Sequence, residues 1–359
     1  MNMISNFKHS AGAHCETGSL RNLLAFSGKE ISEAMLFGIG SGPAFYYLFF
    51  QKNHVGFPLL GIRNRPGLVV KNCSGFCGID IKTMQYKRVQ DALKKTDELL
   101  NKNIPVAATV DMMYMKYLPE YLHIHAPLHF IAIVGKQDKE HYLISDPYFP
   151  EIGKLHIDDL SAAWETYSPL ARNNTLSYIT AIPGNINWKS AIKKGIQETV
   201  RNIILPPVIN KLFIFVGING IRLFASKIME WPVKYRGVHL REGIMFTAVG
   251  FEDQGTGGGA FRIMYGVFLK EAADIFNSSA LREMSDKMLA HGQYWTDTSR
   301  KIIRTGKKIP VADEEYEDWF AAQKNVLYTD LQEISERILH IAETENIFFR
   351  ELGRIISDL

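Results

Sequence analysis

A thiol, an imidazole and a carboxylate occur in this chain in an order that suits acyl chemistry: Cys15, His129 and Asp146. A cysteine attacks a carbonyl carbon as its thiolate and needs a base to hold the proton. An imidazole does that best when a carboxylate on its other nitrogen fixes its tautomer and orientation. Cys15 stands in "SAGAHCETGSLRNLLAF", where Leu20, Leu23, Leu24 and Phe26 recur at helical spacing and Gly28 supplies a stop. The cysteine is therefore expected in the first turn of a helix. There the unsatisfied N–H groups and the positive end of the helix dipole favour an anion and can meet a developing oxyanion. Taken alone, Cys15 reads equally as a small buried hydrophobe.

The stretch "HFIAIVGKQDKEHYLISDPYF" decides which of eleven histidines matters. It predicts a strand opening at His129, a polar turn, and a return strand ending at Asp146, so that a hairpin brings imidazole and carboxylate together.

The elements around these residues fall into two textures. Up to about residue 183 the pattern is mixed. It comprises the helix after Cys15, an apolar segment ending in "LFGIGSGPAFYYLFF", strand-like "PLLGI" and "GLVV", and an amphipathic helix over about Lys82 to Asn101. Strands follow at Val106 to Val110, His129 to Val134 and Tyr142 to Ile144. After "AIPGNINW" helical periodicity dominates: Ala260 to Phe276, Ser279 to Arg304, and Glu314 to Ile356 with a break expected near Asn325 to Tyr328. Residues 1–184 and 185–359 are thus expected to form separate domains.

The 359 residues contain 46% hydrophobic residues, enough for a sizeable core, and 41 basic against 38 acidic residues. No basic stripe interleaves with aromatics, so nucleic acid is not expected as a partner. Three cysteines argue against a disulfide framework, and Cys73 and Cys77 in "NCSGFCG" read as a turn with buried thiols and not as a metal site. The first residues show no apolar h-region, which points to the cytoplasm. The apolar run from Ile203 to Ala225 is interrupted by prolines and polar residues where a bilayer span needs about 20 apolar ones, so it reads as core or interface helix and no membrane partner is expected. Two glycine-dense segments, "FGIGSGP" and "GTGGG", match neither phosphate-loop nor dinucleotide spacing. Their Gly38, Gly40, Gly257 and Gly258 are weak candidates for contact with substrate, with close helix packing the alternative, and Glu252 and Asp253 are candidates to hold a cationic amine in a cleft between the domains. Met112, Met113, Tyr114, Met115 and Tyr117 either line an acyl pocket or fill core.

Cysteine on a helix N-terminus, then histidine and aspartate on adjacent strands with "DPYF" following, resembles the papain-like fold, and within it the bacteriocin-leader peptidases. Four blocks, "HCETGSLRNLLAFSG", "SEAMLFGIGSGPAFYY", "HFIAIVGKQDKEHYLISDPYF" and "EDQGTGGGAFRIMYGVFLKEAA", resemble the butirosin biosynthesis protein H family in the same order over nearly the whole chain. The resemblance implies an α+β protein, a papain-like cysteine domain followed by a mainly α-helical domain of unassigned role. It further implies an amide-forming acyltransferase of specialised metabolism, with Cys15, His129 and Asp146 as its triad. The donor would be a phosphopantetheine thioester on an acyl carrier protein or coenzyme A, the acceptor a small amine, and no cofactor would be bound. A homodimer stays open, and a peptidase or amidase with water as acceptor is the alternative. Papain-like enzymes place a second oxyanion donor, commonly Gln, a few residues before the cysteine; here His9 is the candidate for that place.

Overall fold

The computed structural model describes residues 4–52, 56–168, 172–204, 215–253 and 255–359. The chain divides into two compact units, Met1–Gly40 with Arg65–Ala191, and Ser41–Asn64 with Ile192–Leu359. A single cut near Gly184 does not describe this division. An antiparallel hairpin of β1 (Pro43–Lys52) and β2 (Pro58–Arg63) leaves the first stretch of chain and packs with the helical unit. Its aromatic residues give the reason: Phe45 stacks on Trp295 and Phe57 on Tyr235, apolar area that the hairpin could not bury alone.

In the first unit, α1 (Cys15–Phe26), α2 (Glu33–Ile39) and α3 (Leu68–Cys77) precede a six-stranded sheet. The strands are β3 (Asp80–Gln85), β4 (Val106–Val110), β5 (His129–Lys136), β6 (His141–Ser145), β7 (Ile152–His156) and β8 (Thr175–Ala181), in the order β3-β8-β4-β5-β6-β7 with every neighbouring pair antiparallel. Two further helices, α4 (Val89–Leu100) and α5 (Ile157–Glu165), complete the unit. Alternation sorts the strand residues: Val106, Ala108, Val110, Ile131 and Ile133 enter the core with Leu93, Leu160 and Trp164 from α4 and α5. Helix α1 lies against β5, with Ser19 Oγ donating to the Phe130 carbonyl at 3.1 Å.

Three local expectations are corrected. "GLVV" opens α3 instead of forming a strand, because Gly67 at φ 80° turns the chain into the helix and Val69 packs on α2. The helix expected from Lys82 begins only at Val89, since residues 80–85 pair with β8. The stretch beside Gly78 is likewise helix: Cys73 and Cys77 sit four apart on α3, both buried.

The second unit holds, besides the hairpin, α6 (Trp188–Ile203, which begins in the first unit), α7 (Gly217–Ile228), α8 (Trp231–Lys234), α9 (Gly237–Glu252), α10 (Arg262–Phe276), α11 (Ser279–Lys307) and α12 (Tyr316–Asp358). The last is one unbroken helix of 43 residues; "QKNVLYT" contains no Gly or Pro, and Asn and Thr cost a helix too little to break it. Of the apolar stretch beginning at Ile203, residues 205–214 lie outside the described residues, and Gly217–Ile228 is the buried helix α7. Within α10 to α12, Arg262 Nε and Nη2 donate to the two oxygens of Glu345 at 2.8 Å each, and Trp295 Nε1 donates to Glu345 at 2.8 Å, all fully buried. Among the described residues, no helix is long and apolar enough to cross a membrane.

Candidate active site

Cys15 is the first residue of α1, as the sequence predicts, and Gly28 at φ 80° ends that helix. The turn is anchored from three sides. Glu33, first residue of α2, accepts the backbone N–H groups of Ala13 at 3.2 Å and His14 at 2.7 Å, so the chain entering Cys15 is held by the neighbouring helix. Glu16 is buried and accepts the N–H of Val70 at 3.0 Å, capping α3, whose Gly67 has no side chain to do so. Gly18 lies so close to the loop after Asp146 that a Cβ there would stand 2.8 Å from the Pro147 ring.

His129 opens β5 and is paired with Val110 of β4, while Asp146 directly follows β6. His129 Nε2 donates to Asp146 Oδ2 at 2.8 Å, and the ring lies near enough to Cys15 for the thiol to act on its charge. The structure thus brings Cys15, His129 and Asp146 together. Asp146 is further held by Tyr117 Oη, which donates to the same Oδ2 at 2.8 Å, and by the Tyr148 N–H on Oδ1 at 2.9 Å. The Tyr148 ring lies 5.1 Å from that of His129.

The electrostatics follow from this burial. Desolvation opposes a charged His129 ring, but the charge and hydrogen bond of Asp146, with a contribution from Cys15, outweigh it and push the ring up to about 10. Desolvation also works to raise Asp146; the charge of His129 and the hydrogen bonds from His129, Tyr148 and Tyr117 overcome it and hold the carboxyl below its ordinary range. Tyr117 is pushed well above the usual phenol by burial and by the adjacent carboxylate, so it stays a donor. In α3, Cys73 is likewise raised well above an ordinary thiol, by its hydrogen bond with Cys77 and by burial.

The other sequence candidates have structural tasks. His9 is not placed as an oxyanion donor: its Nε2 donates to the Phe149 carbonyl at 2.8 Å and its Nδ1 lies 2.8 Å from Ser145 Oγ, so both nitrogens hold the loop around Asp146. Gly38 lies inside α2, and a Cβ on Gly40 would stand 2.6 Å from the Val69 carbonyl, so the first glycine segment packs α2 on α3. Gly257 and Gly258 have φ of 66° and 84°, part of a left-handed run that continues through Ala260 and Phe261. Glu252 closes that loop by accepting the Gly259 N–H at 3.3 Å and the Thr296 hydroxyl at 3.0 Å, while Asp253 is the exposed C-cap of α9. Met112 and Met115 fill the core of the first unit. Tyr117 is the residue whose part sequence reasoning missed; its signal was only its place in an aromatic and methionine cluster ahead of His129.

A cysteine on a helix N-terminus, set against a histidine and an aspartate from adjacent antiparallel strands, defines the papain-like class, here joined to a helical second region. Comparison narrows this. The chain belongs to the butirosin biosynthesis protein H family: residues 14–147 match the model of the butirosin biosynthesis protein H N-terminal domain, and residues 158–352 match a domain of unknown function (DUF4872). No curated protein matches the chain. A crystal structure described as that of a C39-like peptidase from Bacillus anthracis is similar over 50% of this chain and 98% of its own, at 13% identity and a TM-score of 0.35. Family and architecture fit a papain-like cysteine enzyme.

Proposed function

We propose that this protein is an acyltransferase that works through an acyl-enzyme on Cys15. The observation that carries the reading is the buried His129–Asp146 pair, with Cys15 at the start of α1 close enough to act on the charge of the ring. His129 holds the thiol proton while the sulfur attacks the carbonyl carbon of a phosphopantetheine thioester carried by an acyl carrier protein or coenzyme A. The C–S bond to the donor breaks, the pantetheine thiol leaves with the proton from His129, and a thioester remains on Cys15. One thioester replaces another, so the step is nearly isoenergetic. A small amine then attacks the acyl-enzyme carbonyl, His129 takes its proton, the C–S bond to Cys15 breaks, and the amide leaves with the Cys15 thiolate restored beside protonated His129. The first N–H groups of α1 face the oxyanion in both steps.

Intact-mass spectrometry of the protein mixed with acylated carrier proteins and acyl-coenzyme A tests this. An adduct that maps to Cys15 and moves to an added amine supports it. Rapid release as free acid, unaffected by amines, would instead make the protein an amidase, and absence of any adduct at Cys15 would remove the acyl-enzyme.

A further inference from the structure

The face of α1 that carries Cys15 continues into an open cleft. Residues 15, 19 and 23 follow one another at four-residue spacing and so share a stripe of the helix, and Ser19, Leu20 and Leu23 line a narrow cleft with about 70 Å³ of space between α1, the first turn of α3 and the sheet. Its sheet wall includes Ala107 and Thr109 of β4 and Phe130 of β5. Thr109 pairs with Phe130, the rung next to the Val110–His129 pair, so the cleft begins one rung from His129 as well as one turn from Cys15. Several apolar lining side chains, among them Val70, Ile81, Phe130 and Ile179, are only half-buried, although apolar surface gathered in a concavity is normally covered.

Most of the polar side chains there are already engaged. Ser19 donates to the Phe130 carbonyl, Ser177 and Thr83 hydroxyls pair with each other, and Glu16, the charged residue of the lining, is buried on the Val70 N–H. Apart from the Thr109 and Tyr178 hydroxyls the rest of the lining is apolar or already paired, and its α1 residues, Glu16 to Leu23, extend about 10 Å along the helix at 1.5 Å per residue.

We propose that this cleft is the acyl pocket, and that the group carried on Cys15 is an unbranched, medium-length apolar acyl chain lying along α1 with its carbonyl at the helix N-terminus. This rests on the acyl-enzyme reading above and adds the substrate class. Selectivity would come from burial of methylenes, each worth about four-fold at ~0.8 kcal/mol, while the carbonyl chemistry stays the same for every chain length.

The test has two arms. In the first, loading of Cys15 is followed by intact mass with acetyl, butyryl, hexanoyl, octanoyl and decanoyl thioesters of N-acetylcysteamine, the leaving thiol held constant. Octanoyl loading is expected to exceed acetyl loading by at least about ten-fold. Ala107→Leu, which fills the cleft, should abolish that preference while leaving acetyl loading intact, and Ile81→Ala on the edge strand β3, which widens it, should move the preference to longer chains. Rates that ignore chain length, or that change only when N-acetylcysteamine is replaced by pantetheine, overturn the proposal. The second arm needs no acyl transfer: octanoate binding to the Cys15→Ser protein, by calorimetry, should be saturable and weakened at least about ten-fold by Ala107→Leu. If Cys15 takes no acyl group yet octanoate binds in this way, the acyl-enzyme reading fails and the pocket stands. If octanoate does not bind, or binds both proteins alike, the pocket fails.

Discussion

Tyr117 and His129 donate to the same oxygen, Oδ2 of Asp146, each at 2.8 Å. The carboxylate that orients the imidazole is thus itself oriented from the other side by a buried phenol, and its second oxygen is fixed by the Tyr148 N–H. This makes Tyr117 a positioning residue. In Tyr117→Phe the carboxylate loses a hydrogen bond to its charged form, so Asp146 becomes easier to protonate. Loading of Cys15 should slow by roughly ten-fold, and the acid limb of its pH profile should move to higher pH. A slower rate with an unmoved limb would mean that Tyr117 only packs.

Asp146→Asn keeps an acceptor of the same shape but removes the charge that favours His129 as imidazolium. Cys15 loading should fall by roughly three orders of magnitude or more, with far-UV circular dichroism unchanged. Loading within a few-fold of the wild type would remove Asp146 from the proposed triad.

His129 is raised to about 10, so the folded protein binds a proton there that the unfolded chain, with an ordinary imidazole near 6.5, releases earlier. Its contribution to stability is therefore complete below about 6.5 and is lost as the pH rises through about 10. Urea unfolding of the wild type and of His129→Gln at intervals across that range should show the wild type losing its advantage toward alkaline pH. Parallel curves would show that the ring does not hold the extra proton.

Glu33 accepts two N–H groups of the chain just ahead of Cys15 and lies 3.5 Å from the Arg21 guanidinium. Glu33→Ala leaves those partly buried donors without their acceptor, at a cost of about 1–3 kcal/mol. Thermal unfolding should register that loss, and Cys15 loading should slow as the first turn loosens. An unchanged melting temperature would show that other contacts hold the turn.

In the second unit, the Arg262–Glu345 pair is fully buried with both oxygens of the carboxylate engaged. Glu345→Gln leaves a guanidinium buried without a counter-charge and should cost about 3–5 kcal/mol. Replacement of both residues by apolar ones of similar volume should restore much of this, since the pair's own desolvation is avoided. Equal losses in the single and double replacements would show that packing, and not charge, sets the cost.

Local chemistry was legible in the sequence wherever short-range rules suffice. The helix Cys15–Phe26 follows from its leucine spacing and from Gly28, which turns at φ 80° just beyond its end. The meeting of His129 with Asp146 follows from a hairpin, in which a polar turn fixes both strands. The rest depended on distant partners. Val69 and Val70 favour strands, yet the contact with α2 and the cap from Glu16 hold them in α3. His9 stands at the spacing of an oxyanion donor, but Ser145 and Phe149, far along the chain, occupy its ring. The hairpin of residues 43–63 joins the second unit because its aromatic side chains find Trp295 and Tyr235 there. Tyr117 acquired its part only when the fold buried its hydroxyl beside Asp146. Periodicity and turn chemistry act between neighbours and can be read in order along the chain, whereas burial and the choice of hydrogen-bond partner depend on which surfaces meet, and only the folded chain decides that.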